Sequence, residues 1–237
     1  MKWGFFTPVH LLTLVFGAGL LIGLYGFLRR RSVTFCVRVL AVLSLWGIAA
    51  IAYNLLRWGS PLEYLPLHLC SVNALLLPAA VLTRSRVLGN LLLLWCPGAL
   101  GALVANGAMA QTPVLSWTFL FFFLPHVLEF GIPVLLWKLG LVERDVRCVG
   151  PSIGLTLLVY TVVHFCNLGI NDWCADTGSP IRVNYMFSLQ PDNPLLAFFY
   201  TLLPEPYWYL FLLLPGILVY LWVLYQPRRR AGADKKI

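Results

Sequence analysis

Long apolar runs, each close to the length that a membrane-spanning helix needs, constrain this chain more than any other sequence feature. A helix crosses the hydrocarbon core of a bilayer with about 20 mostly apolar residues. Seven such stretches follow one another along the 237 residues. They cover about 9–28, 36–56, 65–83, 87–105, 114–137, 149–168 and 205–225. The pattern predicts an all-α polytopic membrane protein, a single domain built as a seven-helix transmembrane bundle.

The composition excludes the soluble classes of protein. Apolar residues make up 60% of the chain and charged residues 11%, against roughly 45–50% and 25% in soluble domains. That charge is too small to cover a soluble globule, which excludes a cytosolic enzyme, a disordered regulator and a secreted disulfide domain. The net charge of +8 does not indicate a nucleic-acid partner, because the basic residues stand in short runs between apolar segments, as in membrane topology.

The distribution of basic residues between the predicted spans indicates an orientation. Fourteen of the 17 lysines and arginines fall in alternate connectors and in the C-terminal tail. Under the positive-inside rule, that side of the membrane is the cytoplasm. We therefore expect the N-terminus outside and the C-terminus in the cytoplasm. The fourteen are Arg29, Arg30, Arg31, Arg38, Arg84, Arg86, Lys138, Arg144, Arg147, Arg228, Arg229, Arg230, Lys235 and Lys236.

One connector, at about 169–204, is much longer than the others and falls on the predicted outer side. It contains several aspartates and prolines and has no clear hydrophobic period. A loop of this length within a compact domain is usually functional or a lid. We expect it to fold back over the mouth of a cavity, with the segment Asn184-Tyr185-Met186 facing the histidines.

Polar side chains inside the predicted spans are concentrated at the midplane and in the outer half. Each is costly in lipid and therefore needs a partner or a function. Apart from Glu205 at the first position of the seventh stretch, Glu129 is the only acidic residue within a span, three residues after His126 and so on the same helix face. Convergence of four histidines from four helices predicts a polar cavity that opens outward. For a single Asn or Tyr, a hydrogen bond that joins two helices is the alternative explanation. The candidate lining residues are His10, His68, Asn73, His126, His164, Asn167, Asn184 and Tyr185. In the sixth helix, one polar stripe is formed by Tyr160, His164, Asn167 and Asn171.

The cysteines indicate neither a disulfide framework nor a metal site. No CxxC pair and no HExxH motif occurs in the sequence, and no metal and no cofactor is predicted. The alternatives are a metal site built from histidines and Glu129, and a disulfide between Cys166 and Cys174 in an oxidising compartment. Cys70 follows His68 by two positions, and at about 100° per residue the two side chains point to nearly opposite faces. If Cys70 is a nucleophile, its base comes from another helix, with His126 or His164 as the candidates. The alternative is that Cys70 packs as a small apolar residue.

The segment Leu65-Pro66-Leu67-His68-Leu69-Cys70 resembles the LPLHLC segment that opens a middle helix in the YwaF-like family of bacterial integral membrane proteins. Four further segments match that family in order along the chain, although the last departs from the family's GPWPWY pattern. The resemblance implies a multi-pass protein of the bacterial cytoplasmic membrane whose partners are membrane lipids. The four segments are His10-Leu11-Leu12, FFFLPH at 121–126, NYM at 184–186 and PEPYWY at 204–209.

The YwaF-like family is distantly similar to animal transmembrane acyltransferases of ether phospholipids and to the androgen-induced hydrolases of fatty-acid esters. Those enzymes use a Cys or Thr nucleophile with a histidine inside the membrane. This similarity implies His126 as the general base. In the animal acyltransferases the cysteine stands directly beside a histidine, whereas Cys70 follows His68 by two positions.

Together, the residues and the resemblance predict an enzyme that acts on a lipid acyl ester at the outer leaflet. Cys70 would attack the ester carbonyl, and His126, oriented by Glu129, would act as the general base. His68 and Asn73 would donate hydrogen bonds to the oxyanion. The alternatives are a membrane protein that binds or transports a small solute or ion, and a structural partner of another membrane protein. The inner half of the predicted spans has almost no polar residues, which argues against a transport path.

Overall fold

The computed structural model describes residues 2–4, 6–105 and 109–226. Over these residues the protein is helical, with no strand and one isolated β-bridge between Lys2 and Pro113. The predicted all-α class is therefore confirmed. The helices are α1 Pro8–Leu28, α2 Val33–Arg57, α3 Leu69–Thr83, α4 Arg86–Ala105, α5 Trp117–Lys138, α6 Val149–Asp176, α7 Pro194–Leu202 and α8 Leu214–Leu224.

The N-termini of three long helices are set by side-chain caps. Thr7, Ser32 and Ser116 precede α1, α2 and α5, and each accepts a hydrogen bond from the backbone N–H three residues ahead, at 3.2–3.3 Å. A hydroxyl in this position satisfies one of the N–H groups that a helix leaves unpaired at its start. The caps explain why these helices begin close to where the apolar runs begin.

Five helical segments are long and apolar enough to cross a membrane: α1, α2, α4, α5, and α6 with the turn before it. The predicted third and seventh spans are shorter in the structure, as Leu69–Thr83 and Trp208–Leu224. Proline limits both, because it removes an N–H donor and disfavours a helical residue before it. Pro66 precedes α3, and Pro206 precedes the last segment, which starts as a 3-10 turn over Trp208–Leu213. The structure therefore supports five spanning helices and two shorter apolar ones, rather than seven spanning helices.

The long connector is shorter than predicted, because α6 continues to Asp176 and α7 occupies Pro194–Leu202. The irregular part is 177–193, with one 3-10 turn at Tyr185–Phe187. The apolar run fades after residue 168, but the helix continues because the polar side chains on its last turns have partners in this segment, as described below.

Contacts divide the connectors between two ends of the bundle. At one end, the N–H groups of Trp3 and Gly4 donate to the carbonyls of Thr112 and Ala110 at 2.9 and 2.8 Å. We call this the loop end; it also holds the connectors 58–68 and 177–193. The opposite end, which we call the basic end, holds the connectors 29–32, 84–85 and 139–148 and the C-terminal turn of α8.

The described basic residues follow this division. Nine of them lie at or near the basic end, and Lys2, Arg57 and Arg182 lie at the loop end. The grouping agrees with the predicted alternation of connectors, whereas the side of the membrane that each end faces stays a prediction. The five tail residues used in that prediction, Arg228, Arg229, Arg230, Lys235 and Lys236, lie outside the described residues.

Three apolar clusters frame the interior. The largest fills the basic end around residues such as Leu28, Leu92 and Leu136, all fully buried. A second, aromatic cluster around Trp3, Phe119 and Phe123 lies at the loop end. The third joins α6 to the irregular segment through Val163, Val183, Tyr185 and Met186.

Candidate functional site

Cys70 lies in the first turn of α3. The helix begins after His68, whose side chain makes no capping hydrogen bond, and its first backbone bond runs from the Val72 N–H to the His68 carbonyl at 3.0 Å. The Cys70 sulfur lies beside the N–H groups of Cys70 and Ser71 and the Ser71 hydroxyl. N–H donors at a helix start stabilise negative charge, either on a sulfur or on a substrate oxygen.

A buried carboxyl group from α5 faces the same region. Glu129 is close enough to Cys70 for its charge to act on the thiol. The residue is 3% exposed, and its Oε2 has no hydrogen-bond partner among the described residues. Gly47 of α2 provides the space, since a Cβ there would lie 2.7 Å from the Ala74 Cβ and 3.9 Å from the Glu129 Oε1. Three helices, α2, α3 and α5, thus meet at the carboxyl group.

Two further polar side chains complete what we call the Cys70 cluster, defined as Cys70, Asn73, Glu129 and Tyr160. Asn73 follows Cys70 by three residues, which places both on one face of α3. It is 2% exposed, and its Oδ1 has no partner among the described residues. Tyr160 of α6 is within electrostatic range of the Cys70 sulfur. The cluster combines a thiol, a carboxyl group, an amide and a phenol in an apolar interior.

His126 shares a helix face with Glu129 but has a different partner. Its Nδ1 lies 2.6 Å from the Phe122 carbonyl, and its ring packs on Phe122 with the centroids 4.5 Å apart. Because a carbonyl only accepts, Nδ1 carries the proton in this contact and Nε2 has the lone pair. No hydrogen bond joins His126 to Glu129 or to Cys70 within the described chain. The Cys70 thiol is within electrostatic range of the Glu129 carboxyl group, and no hydrogen bond of the described residues joins it to either side chain.

His10 is built into the aromatic cluster and does not join the Cys70 cluster. It is fully buried, and its ring packs against Trp3 with the centroids 4.4 Å apart. The Phe6 N–H donates to Nδ1 at 3.0 Å, and Nε2 lies 2.9 Å from the Leu103 carbonyl, to which it donates. Both ring nitrogens are thus used in tying the N-terminal segment to α1 and α4.

The irregular segment 183–188, which we call the strap, is fastened to α6 by two asparagines one helical turn apart. The Asn171 amide exchanges two hydrogen bonds with the Val183 backbone, at 2.9 and 2.8 Å. The Asn167 amide exchanges two with the Tyr185 backbone, both at 2.9 Å. Each side chain acts as a strand neighbour would, so the polar stripe on α6 holds an extended segment against the helix.

Two of the predicted histidines contact the strap from different helices. The Met186 N–H donates to Nδ1 of His68 at 3.3 Å, which leaves the proton of neutral His68 on Nε2. Nδ1 of His164 lies 3.2 Å from the Ser188 Oγ, and this oxygen accepts a hydrogen bond from Asn167 Nδ2 at 2.9 Å. The tautomer of His164 determines whether the Ser188 hydroxyl donates to this nitrogen or accepts from it. The strap joins α3 to α6 through these contacts.

The strap holds a strained backbone in place. Met186 and Phe187 have φ values of 53° and 56°, a region that non-glycine residues rarely occupy. The Tyr207 N–H donates to the Ser188 carbonyl at 2.6 Å, and the Tyr209 hydroxyl donates to the Phe187 carbonyl. The surrounding contacts thus fix a conformation that the segment would not adopt alone.

The other two predicted lining residues of the strap have structural partners. The Asn184 side chain turns back on its own segment, donating to the Gln190 carbonyl at 2.8 Å and accepting from the Leu189 N–H at 3.0 Å. Tyr185 is buried, and its hydroxyl donates to the Leu62 carbonyl. Burial raises the pKa of this phenol. Met186 of the predicted segment contacts His68, whereas the Asn184 side chain bonds within its own loop; closure of a cavity mouth by this segment stays a prediction.

Ser188 is the site residue that the sequence analysis missed. It is fully buried and connects Asn167 to His164. A single serine in a loop belongs to no periodic sequence pattern. Its hydrogen-bond partners, Asn167 and His164, are 21 and 24 residues away along the chain. The available signal was the spacing of Tyr160, His164, Asn167 and Asn171 on one stripe of α6, which predicts a polar partner without identifying it.

The cysteines and the metal-ligating side chains form no further centre in the part of the chain that the structure covers. All six cysteines are free thiols. No group of three or more His, Cys, Asp or Glu side chains comes together among the described residues.

Comparison with known proteins identifies a family. No curated protein and no solved structure matches the chain. The YwaF-like resemblance and its link to acyltransferases therefore stay predictions. A family model described as the TMEM164 family matches residues 5–225, nearly the whole chain.

Proposed function

Because the chain belongs to the TMEM164 family, a family of transmembrane proteins, it is a multi-pass membrane protein, and we propose that it transfers or hydrolyses the acyl group of a membrane-lipid ester through Cys70. The proposal places it in the bacterial cytoplasmic membrane, with the loop end outside. The lipid would then enter from the outer leaflet, and no cofactor is required.

The position of the Cys70 sulfur supports this proposal most directly. It lies in the first turn of α3, beside two backbone N–H groups and within range of a buried carboxyl group. A nucleophile for an ester needs a proton acceptor and donors for the developing oxyanion. The first turn of α3, the Asn73 amide and Nε2–H of His68 are the donors that this chain offers.

The reaction would proceed in two steps. In the first, Glu129 takes the thiol proton, the sulfur attacks the ester carbonyl, and the C–O bond of the ester breaks. The leaving alkoxide receives that proton and departs as a lysolipid, while the acyl group stays on Cys70 as a thioester. In the second, an acceptor alcohol or water attacks the thioester, its proton passes to a base, and the thiolate leaves and is reprotonated.

The two candidate bases suit different steps. The carboxyl group of Glu129 is the one within range of the thiol, which supports its role in forming the thioester. Nε2 of His126 keeps its lone pair, because Nδ1 is bonded to Phe122. We assign His126 to the second step, in which it would accept the proton of the incoming alcohol or water.

The test is a thioester trap on the purified full-length protein in detergent. The protein is incubated with a phospholipid that carries a labelled acyl chain, and both lysolipid release and the label on the protein are measured. Labelling should be removed by hydroxylamine and should disappear with lysolipid release in Cys70→Ser. Cys166→Ser, a half-buried cysteine of α6, is the matched control and should retain both. Turnover that survives Cys70→Ser would overturn the proposal.

A binding or transport role is the second candidate, and one observation favours it. Asn73 Oδ1 and Glu129 Oε2 are buried acceptors without a partner in the described part of the chain, so they suit a solute or ion that brings its own donor or positive charge. In that case no labelled thioester would form with any lipid, and solute binding would depend on Glu129 but not on Cys70.

A further inference from the structure

A cleft of about 620 Å³ opens at the basic end, on the side of the bundle opposite to the Cys70 cluster. It lies between the first turn of α4, the connector that precedes α6, and the end of α8. Its principal lining residues are Arg86, Arg144, Asp145, Arg147, Tyr225 and Gln226. Three guanidinium groups on one cleft are unusual in a chain with only 11% charged residues.

The contacts around the cleft fix two of the three arginines. Arg86 pairs with Asp145 at 3.0 Å and with Glu143 at 3.4 Å. Arg144 donates to the Leu224 carbonyl at the end of α8, and its guanidinium lies 4.1 Å above the centre of the Trp137 ring. These positive charges are therefore held in position before any ligand binds, which lowers the entropy cost of binding.

Arg147 differs from its neighbours. Its backbone N–H donates to Asp145 Oδ1 at 3.0 Å, but its exposed guanidinium forms no ion pair among the described residues. The carboxylates of Glu143 and Asp145 both pair with Arg86, and neither forms an ion pair with the Arg147 guanidinium. Three guanidinium groups against two carboxylates leave the cleft positive, with Arg147 as its accessible donor.

We propose that this cleft binds a phosphate group, either on the headgroup of an anionic lipid or on a free phosphate compound. Guanidinium groups match phosphate oxygens with paired hydrogen bonds, which carboxamide or ammonium groups do not reproduce. The cleft is large enough for a headgroup and lies at the end where basic connectors gather. Basic pockets at that level of a membrane protein are suited to anionic headgroups.

The experiment uses the purified full-length protein in a neutral detergent and follows its melting temperature. Dioctanoyl phosphatidic acid should raise the melting temperature, whereas dioctanoyl phosphatidylcholine should not. Arg147→Gln should weaken the apparent affinity for phosphatidic acid about tenfold or more, the effect of losing a charge-assisted hydrogen-bond pair. Arg30→Gln removes the same charge from an exposed site at the same end, outside the cleft, and should leave the affinity unchanged.

Inorganic phosphate separates the two sources of the ligand. An Arg147-dependent rise in melting temperature with phosphate alone would assign the cleft to free phosphate compounds. A rise with phosphatidic acid alone would assign it to a lipid headgroup. Equal weakening by Arg147→Gln and Arg30→Gln, or no rise with either probe, would overturn the proposal. Because the exposed Arg147 guanidinium forms no ion pair within the part of the chain that the structure describes, Arg147→Gln should melt close to the wild-type temperature without ligand, which shows that the variant folds.

Discussion

Glu129 and His126 stand three residues apart on α5, but their side chains serve different partners. The carboxyl group lies within electrostatic range of the Cys70 thiol, while the imidazole is turned toward the backbone of its own helix, 2.6 Å from the Phe122 carbonyl. The two residues therefore need not act as one unit. If each serves a separate step of the proposed reaction, their substitution should change different kinetic phases.

Glu129→Gln should slow the formation of the labelled thioester, because the amide cannot accept the thiol proton. The expected loss is roughly 10²–10⁴-fold, the range for one general base. His126→Gln should form the thioester at close to the wild-type rate but consume it slowly, so that labelled protein accumulates. Single-turnover measurement of labelled protein against time distinguishes the two. The assignment fails if His126→Gln, rather than Glu129→Gln, blocks the first phase.

The close packing around Gly47 leads to a prediction about protein stability that does not depend on the proposed enzymatic activity. A Cβ at this position would lie 2.7 Å from the Ala74 Cβ, so Gly47→Ala should force α2 and α3 apart. Overpacking of this kind costs about 1–3 kcal/mol, and thermal melting in detergent should show a lower midpoint. Gly19→Ala is the control, since a Cβ there meets no atom within 4 Å. Equal midpoints for the two variants would contradict the close contact of the helices.

Asp145 should make the basic end sensitive to acid. The Arg147 backbone N–H, followed by Arg86, holds the pKa of this half-buried carboxyl below its ordinary value. A lowered pKa contributes stability above the unfolded-state value of about 3.9, and this contribution is lost as the pH falls through the folded-state value. The melting temperature of wild-type protein should therefore exceed that of Asp145→Asn at about pH 6, and the difference should shrink toward about pH 2. A difference that does not change with pH would count against the ionised carboxylate as its source.

The strap lies in front of the first turn of α3, where a helix long enough to span the membrane would have continued. Its backbone covers the start of α3 through Met186 and His68, and α6 holds it through Asn167 and Asn171. The Ser188 hydroxyl makes a further contact, because it lies within hydrogen-bond distance of Nδ1 of His164. The order of the strap thus depends on a few side chains that are distant from Cys70 in sequence.

Ser188→Ala should release the strap without touching the Cys70 cluster. The substitution leaves a donor of Asn167 and Nδ1 of His164 without a partner, which costs about 1–3 kcal/mol for a buried group. We expect faster proteolytic cleavage within 177–193 and faster amide exchange at 183–188. Thr177→Ala, which removes a hydroxyl bonded only to the end of α6, is the control. Unchanged protection of 183–188 in Ser188→Ala would show that the serine does not hold the strap.

The sequence predicts the long helices well and the short ones poorly, for physical reasons. The runs that became α1, α2 and α5 are apolar, and a hydroxyl cap marks where each begins. The start of α3 is equally apolar, so only Pro66 indicates that the helix begins late. The end of α6 is polar. Only the hydrogen bonds from the side-chain amides of Asn167 and Asn171 to the strap explain why the helix continues.

The candidate site could be predicted only in part. Side-chain types and depth predicted polar groups near α3 and α6, where the structure has the Cys70 cluster and the contacts of the strap. His10 and His126 form hydrogen bonds with the backbone carbonyls of Leu103 and Phe122. Every residue has a backbone carbonyl, so such a partner cannot be identified from the sequence. Four histidines at one depth therefore looked like one lining, whereas the structure divides them among the aromatic cluster, α5 and the strap.

At the scale of the whole molecule, the separation of basic residues between the two ends makes the topology testable. Reporter fusions after Arg147, at the basic end, should be active as a cytoplasmic fluorescent protein. Fusions after Asp176, at the loop end, should be active as an exported phosphatase. This follows from the positive-inside rule applied to the described connectors. Reporters that place Arg147 and Asp176 on the same side of the membrane would be incompatible with α6 as a spanning helix.

The short α3 has a consequence for the acyl transfer that we propose. Its 15 residues extend about 22 Å at 1.5 Å per residue, while the hydrocarbon layer is about 30 Å thick. A helix of this length that starts at one membrane surface ends about 8 Å short of the other. If Arg84, at the basic end, lies at one surface, the thiol in the first turn lies within the hydrocarbon layer, and bilayers of shorter-chain lipids would bring the glycerol esters closer to the sulfur. We then expect turnover to depend on membrane thickness as well as on the headgroup.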